Sequence, residues 1–180
     1  MGGRKPERPL QGRRLIDPVL DLVRGWGAPA RLSVRHHNQV PGCGLTEILD
    51  RTEVEGPLAG VFSALDWGRS EGLQHVLILP CDAPYLPETL LHRLARHALE
   101  CGKPVMPVSN GQPHPACALW RSADLSTIER YYETGQSSLM GALRACHVVK
   151  HVWADEPKIV FCNINSPQDL ERYELQNDPH

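Results

Sequence analysis

The sequence predicts an α/β fold with a mostly parallel sheet between two layers of helices. Short apolar, strand-like runs alternate with helical stretches along the 180 residues, the pattern of strands joined by helical crossovers. Residues 75–80 read His-Val-Leu-Ile-Leu-Pro, and an unbroken apolar run of this kind is typical of a strand buried on both faces. With 41% hydrophobic and 22% charged residues, the chain has the composition and length of one globular domain.

Apolar periodicity predicts the other elements in chain order. Besides 75–80, the expected strands cover residues 30–36, 46–50, 104–109, 116–120, 147–153 and 159–164. The expected helices lie between them, at residues 15–24, 58–67, 87–100, 124–132, 137–145 and 167–175.

The helix expected at residues 87–100 has the clearest local signals. Pro87 suits a first helical turn, and Leu91, Leu94 and Ala98 recur at helical spacing. Gly102 follows as a stop signal. The apolar stripe of this helix is therefore expected to lie on the sheet.

The charge balance does not favour binding to a large polyanion. Nineteen basic residues nearly cancel 21 acidic ones, leaving a formal charge of −2, so neither nucleic acid nor an anionic membrane is an expected partner. Any phosphate must be bound by local geometry. No apolar run approaches the roughly 18 residues of a membrane span, and residues 1–5 lack the apolar stretch of a signal peptide. A cytoplasmic location is expected.

The cysteine spacing does not indicate a metal or redox motif. There is no C-x-x-C pair, which disfavours a zinc knuckle or a thioredoxin-type site. Reduced thiols are expected at all six positions: Cys43, Cys81, Cys101, Cys117, Cys146 and Cys162.

The strongest site signal is Pro-Cys-Asp-Ala-Pro at residues 80–84, directly after the most apolar strand. Ligands in open α/β sheets bind beyond the carboxyl ends of strands. Asp82 is therefore positioned to hold Mg²⁺ together with a nucleotide phosphate. The alternative is that Asp82 only caps the following turn.

A second signal is the Gly56-Pro57-Leu58 entry to a helix, which offers free N–H groups to an anion or a flat base. It also reads as an ordinary helix start. Asp50, at the end of the preceding strand, is either a ligand-facing carboxylate or a turn residue.

Both ends of the sequence carry weaker signals. Lys5, after Gly2 and Gly3, could neutralise phosphate, although a basic terminus is more often a solvated tail. Near the other end, Asn163 and Asn165 are expected to point their amides from one side of a strand end. They precede Ser166 and Pro167, which suit a helix start.

Two further observations bear on the reaction class. His114 lies between a loop and a strand, and any single one of the nine histidines is more often structural than catalytic. The sequence has no G-x-S-x-G, H-E-x-x-H or G-x-x-x-x-G-K-[ST] motif, which removes most support for hydrolase and P-loop functions.

Taken in order, six segments resemble the molybdenum cofactor guanylyltransferases (MobA-type) within the Rossmann-like nucleotidyltransferases. The resemblance covers almost the whole chain and is most specific at Pro-Cys-Asp and Asn-x-Asn-Ser-Pro. The segments are residues 1–5, 11–17, 56–60, 79–84, 114–120 and 163–167.

This resemblance implies transfer of GMP from GTP to the terminal phosphate of molybdopterin, with release of pyrophosphate. It also implies that Lys5 and Asp82 are catalytic and that Asp82 binds Mg²⁺. The implied nucleotide-binding set is Gly2, Gly3, Lys5, Asp50, Gly56, Pro57, Leu58 and Asp82, and the implied substrate-binding set is His114, Asn163 and Asn165.

The start of the sequence departs from the family, whose members open with a strand and a longer glycine-rich loop. The expectation is one nucleotidyltransferase-like domain at residues 1–180 that lacks this first strand and most of the glycine-rich loop. The possibility of a nucleotidyltransferase that uses CTP with molybdopterin, or that acts on a sugar phosphate, stays open. So does a non-catalytic, nucleotide-binding relative that acts in cofactor delivery with a molybdoenzyme or delivery protein.

Overall fold

A computed structural model describes residues 5–10, 12–153, 160–164 and 169. The helices of these residues are α1 (Asp17–Trp26), α2 (Leu58–Ser70), α3 (Leu90–Cys101), α4 (Leu125–Glu133) and α5 (Leu139–Ala145). The strands are β1 (Pro9–Leu10), β2 (Arg13–Arg14), β3 (Arg31–Val34), β4 (Thr46–Leu49), β5 (His75–Leu77), β6 (Val105–Ser109), β7 (Gln112–Pro113), β8 (Leu119–Arg121) and β9 (Val149–Trp153). Short 3-10 turns cover Lys5–Glu7, Pro115–Cys117 and Ser122–Asp124.

The strands form one five-stranded sheet and two small ones. In the large sheet β8 lies between β5 and β6, and β6 also pairs with β7 and β9. The β6–β9 and β3–β4 pairs are parallel, whereas β5–β8, β6–β8, β6–β7 and β1–β2 are antiparallel.

The α/β class is confirmed, but the sheet is mixed rather than mostly parallel. For the β6–β8 pair the physical reason is the short chain between the two strands. Residues 110–118 separate β6 from β8, which is shorter than the dozen or so residues that a parallel crossover needs.

Helices cover both faces of the large sheet, so the predicted three-layer arrangement is confirmed. All five β6 residues are buried. Met106 and Val108 belong to a core formed with α2, α4 and α5, whereas Val105 packs with α3 on the opposite face. This division follows from the alternation of side chains along a strand.

The α3 helix largely follows its prediction. It ends at Gly102, whose φ of 66° suits glycine and whose N–H donates to the Ala98 carbonyl oxygen at 2.8 Å. Leu90, Leu94 and Ala98 are fully buried. The predicted stripe was wrong by one position, because Leu90 rather than Leu91 is its first member.

The strand predicted at residues 159–164 is wrong over its described part. Residues 160–164 form a turn followed by irregular chain. Their backbone bonds to a loop instead of a strand: Phe161 N–H donates to the Tyr85 carbonyl and Ile164 N–H to the Asp82 carbonyl. The helix predicted at residues 167–175 lies outside the described residues apart from position 169.

Two general expectations can be compared with the structure. All six cysteines are free thiols, as predicted. Across the described ranges, no helix has both the length and the apolar character needed to cross a membrane.

Candidate functional site

Three segments that are distant in the sequence meet around Asp82. Leu10 and Leu15 pack with Ile164, and Tyr85 lies against this cluster. The Ile164 N–H donates to the Asp82 carbonyl oxygen at 2.8 Å. The start of the described chain, the loop after β5 and residues 160–164 therefore form one local structure.

Asp82 itself is almost buried at this junction. It follows β5 and is 9% exposed. Burial, together with the neighbouring Asp82 carboxylate, raises the pKa of Cys117 to about 12. The Cys117 thiol is consequently protonated at neutral pH and unsuited to act as a nucleophile.

The surroundings of Asp82 fit a metal that shares its ligands with substrate. In the part of the chain that is described, no group of three or more histidine, cysteine or acidic side chains could hold a metal ion. Mg²⁺ commonly uses only one or two carboxylates and takes its other oxygens from phosphate and water. Asp82 fits this mode and does not form a complete protein cage.

Asp50 lies in a second group beside the start of α2. Its N–H donates to the Val34 carbonyl oxygen at 2.8 Å, and its carboxylate accepts a hydrogen bond from the Ser33 hydroxyl. A Cβ on Gly60 would lie 3.2 Å from Ser33 Oγ and 3.6 Å from Asp50 Oδ1. Glycine at this position thus lets the first turn of α2 approach Asp50 closely.

The predicted nucleotide-binding turn before α2 is accessible only in part. Gly56 and Pro57 are exposed, but the Leu58 side chain is fully buried in the core. Its contribution to a bound nucleotide is therefore limited to its backbone. Among the described residues no side chain caps this end of α2, so its first N–H groups have no side-chain acceptor there.

His114 is held by specific contacts next to residues 160–164. Its Nε2 lies 2.7 Å from Ser109 Oγ, and its ring stacks on Phe161 with centroids 4.7 Å apart. Phe161 has a left-handed φ of 70°, which is uncommon for a bulky residue and often marks a functional site. Burial lowers the pKa of His114 below its usual value, which favours the neutral ring.

We expect the free energy of unfolding to fall as the pH decreases from about 6.5 to 5. Burial lowers the pKa values of His75, His114 and His151 in the folded protein. The unfolded chain therefore binds more protons in this window, so acid favours unfolding until the lowered pKa values are passed. Urea unfolding at a series of pH values measures how the free energy of unfolding changes with pH.

His114→Gln should make the free energy of unfolding depend less steeply on pH. The matched control is His36→Gln, at an exposed histidine, which should leave that pH dependence unchanged. A stability that is constant or rising between pH 6.5 and 5 would contradict the expectation.

The remaining predicted residues are divided between described and undescribed parts. Asn163 is exposed next to Ile164, although not on the expected strand end. Gly2, Gly3 and Asn165 lie outside the described residues, as does the side chain of Lys5. The sequence interpretation missed Ser33 and Phe161, and only the folded contacts reveal them. Gly60 lies within the resembling segment 56–60, but the sequence did not reveal its close approach to Ser33 and Asp50.

These features define an α/β domain of the nucleotide-binding class, with carboxylates after two strands and an uncapped helix start beside one of them. The MobA-like NTP transferase domain family matches residues 1–149. The chain belongs to this family and is a nucleotidyltransferase.

Curated relatives agree with this membership. A molybdenum cofactor guanylyltransferase from Rhodobacter capsulatus is 33% identical over 184 residues, covering 99% of this chain and 92% of the relative. A second, from Nitrobacter hamburgensis, is 29% identical over 187 residues, covering 96% of this chain and 86% of the relative.

Solved structures show the same fold. Molybdopterin-guanine dinucleotide biosynthesis protein A from Archaeoglobus fulgidus superposes with a TM-score of 0.77 at 24% identity, covering 96% of this chain and 89% of that one. The 2-C-methyl-D-erythritol 4-phosphate cytidylyltransferase from Thermus thermophilus has a TM-score of 0.67 at 18% identity, covering 97% and 94%.

Proposed function

We propose that this chain transfers GMP from GTP to molybdopterin, forming the molybdopterin guanine dinucleotide cofactor and pyrophosphate. The observation that carries the proposal is the convergence of the chain start, the Asp82 loop and residues 160–164, held by the Ile164–Asp82 hydrogen bond. Each of the three contains part of a segment whose sequence resembles guanylyltransferases, at Leu15, Asp82 and Ile164. The names of the relatives support GTP and molybdopterin as the two substrates.

The proposed reaction is a direct phosphoryl-group displacement. A terminal phosphate oxygen of molybdopterin forms a bond to the α-phosphorus of GTP, while the bond between the α-phosphorus and the bridging oxygen breaks and pyrophosphate leaves. Such reactions need positioning and charge neutralisation rather than a covalent protein intermediate. The protonated Cys117 thiol next to Asp82 is consistent with that requirement.

The described residues divide the positioning between two groups. Asp50, fixed by Ser33 and lying against Gly60, would hold the nucleoside near the start of α2. His114, stacked on Phe161, and the exposed Asn163 would face the pterin substrate or its phosphate. Lys5 with Gly2 and Gly3 would bind the triphosphate, and Asn165 would join Asn163.

Asp82 would hold Mg²⁺ as its protein ligand. When bound, this ion would neutralise charge on the phosphates and on the departing pyrophosphate. The low exposure of Asp82 would restrict competition from bulk water for the same carboxylate.

The proposal is tested by pyrophosphate release with Mg²⁺ and molybdopterin, using GTP in one reaction and CTP in the other. We expect release with GTP, dependence on both Mg²⁺ and molybdopterin, and little release with CTP. The organic product should have the mass of the guanine dinucleotide. Equal release with CTP would overturn the base preference, and no release with either nucleotide would overturn the enzymatic proposal for this chain.

A further inference from the structure

A polar surface cavity lies between α3 and β9, and none of the residues that line it belongs to the proposed active site. Its volume is about 320 Å³, and it is lined by Arg93, Arg96, His97, Glu100 and His151. Four of these five side chains are basic. A cavity of this size accommodates a small molecule, and its lining favours a polar one.

The two guanidinium groups are available to a ligand. Within the described residues, neither Arg93 nor Arg96 forms an ion pair with a carboxylate. Arg93 lies over the ring of Trp153, 3.9 Å from its centroid, which fixes its position without neutralising its charge. Arg96 is exposed.

The two imidazoles form a pair at one side of the cavity. The Nδ1 atoms of His97 and His151 lie 3.1 Å apart, so one Nδ1–H donates a hydrogen bond to the other Nδ1. His151 Nε2 is buried and has no hydrogen-bond partner in the described structure. An unpartnered buried nitrogen of this kind is costly in a purely structural side chain.

The local field around this pair is positive. Burial lowers the pKa of His151, and the nearby Arg93, His97 and Arg96 lower it further. Glu100 is the one carboxylate that lines the cavity. A cation would be repelled by the arginines, which disfavours a metal ion between the two histidines.

We propose that this cavity is a second ligand site, which binds a dianionic oxoanion such as a phosphate group. Two guanidiniums match the charge of a dianion and form paired hydrogen bonds with phosphate oxygens. Glu100 opposes the same anion and limits its affinity. The proposal does not rest on the transferase reaction, because the two sites share no residue.

Isothermal titration of the full chain tests the site in EDTA, which prevents metal-dependent binding at Asp82. The probes are inorganic phosphate, pyrophosphate and glycerol phosphate, compared with chloride, so that free phosphate and a phosphorylated metabolite are distinguished. We expect one of the three phosphates to bind with a Kd of about 1 mM or lower.

Matched variants attribute the binding to the cavity. Arg96→Gln, at an exposed position that folding does not require, should weaken binding about tenfold or more. Glu100→Gln should strengthen it several-fold. Arg69→Gln, an exposed arginine near the end of α2, should leave it unchanged, as should Asp82→Asn.

Two results would overturn the proposal. One is the absence of binding to the wild-type chain by any of the three phosphates at about 10 mM. The other is binding that keeps its wild-type strength in Arg96→Gln, because that result would locate the anion outside the cavity.

Discussion

Asp82→Asn is expected to reduce GTP-dependent pyrophosphate release by about a hundredfold to a thousandfold while leaving the protein folded. The substitution keeps the size of the side chain but removes the negative charge that would hold Mg²⁺ against the phosphates. The backbone carbonyl that accepts the Ile164 N–H at 2.8 Å is unaffected. Steady-state kinetics over a range of Mg²⁺ concentrations should show a large loss in kcat that added metal recovers poorly.

The matched control is Asp21→Asn. Asp21, which lies on α1, forms exposed ion pairs with Arg13 and Arg24, and such pairs contribute little to stability. This variant should keep full activity. If Asp82→Asn retained more than about half of wild-type turnover, the metal-binding role would be wrong. An unfolded variant would be recognised by circular dichroism, and Asp82→Glu then provides a second test because it keeps the charge and shifts its position.

Gly68→Ala is expected to lower the free energy of unfolding by about 1–3 kcal/mol. A Cβ at this position would overlap Val76 Cγ2 and lie 2.9 Å from Ser122 Oγ. Both neighbours are buried, and the Ser122 hydroxyl donates to the Leu73 carbonyl oxygen at 2.6 Å. The steric cost should therefore exceed the preference of about 1 kcal/mol for alanine over glycine in a helix. Urea unfolding followed by circular dichroism measures the change.

Gly25→Ala is the matched control for this steric explanation. Gly25 is also within a helix, but a Cβ there would meet no atom of the described chain within 4 Å. This substitution should raise the free energy of unfolding by about 0.5–1 kcal/mol. The double variant Gly68→Ala/Val76→Ala should lose less stability than the sum of the single variants. Equal effects of alanine at positions 25 and 68 would refute close packing as the cause.

Local sequence signals predicted much of the fold because they act over short distances along the chain. Leu91, Leu94 and Ala98 predicted a helix with one apolar face that ends at Gly102, and the helix forms there with Leu90 in place of Leu91 on the buried face. The apolar run beginning at His75 predicted a buried strand, although β5 extends only to Leu77. The two-residue strands β1, β2 and β7 were missed because so short a segment shows no alternation.

Pairing direction and irregular chain could not be predicted in the same way. The segment at residues 160–164 has an apolar, β-like composition, yet its amides bond to the loop at Asp82 and Tyr85. Composition alone does not specify which distant carbonyl a backbone N–H will meet. The mixed sheet has the same origin, because the pairing partners of β6 are determined by tertiary contacts.

The candidate site also combines features that the local sequence predicts with contacts that only the fold creates. A carboxylate after a buried strand was recognisable from residues 80–84 alone, since strand and turn signals are local. The Ser33 hydroxyl on Asp50, and Phe161 stacked on His114, join residues that are 17 and 47 positions apart. No periodicity links positions at such separations.

By itself, the sequence determined the α/β class, the five helices of the described residues, the reduced cysteines and the family resemblance, because these depend on local pattern and on motif order. The tertiary structure alone decided the mixed pairing of the sheet, the convergence of three segments at Asp82 and the basic cavity between α3 and β9. The physical reason is that these features arise from packing and hydrogen bonding between distant residues, whose free energy depends on the complete fold.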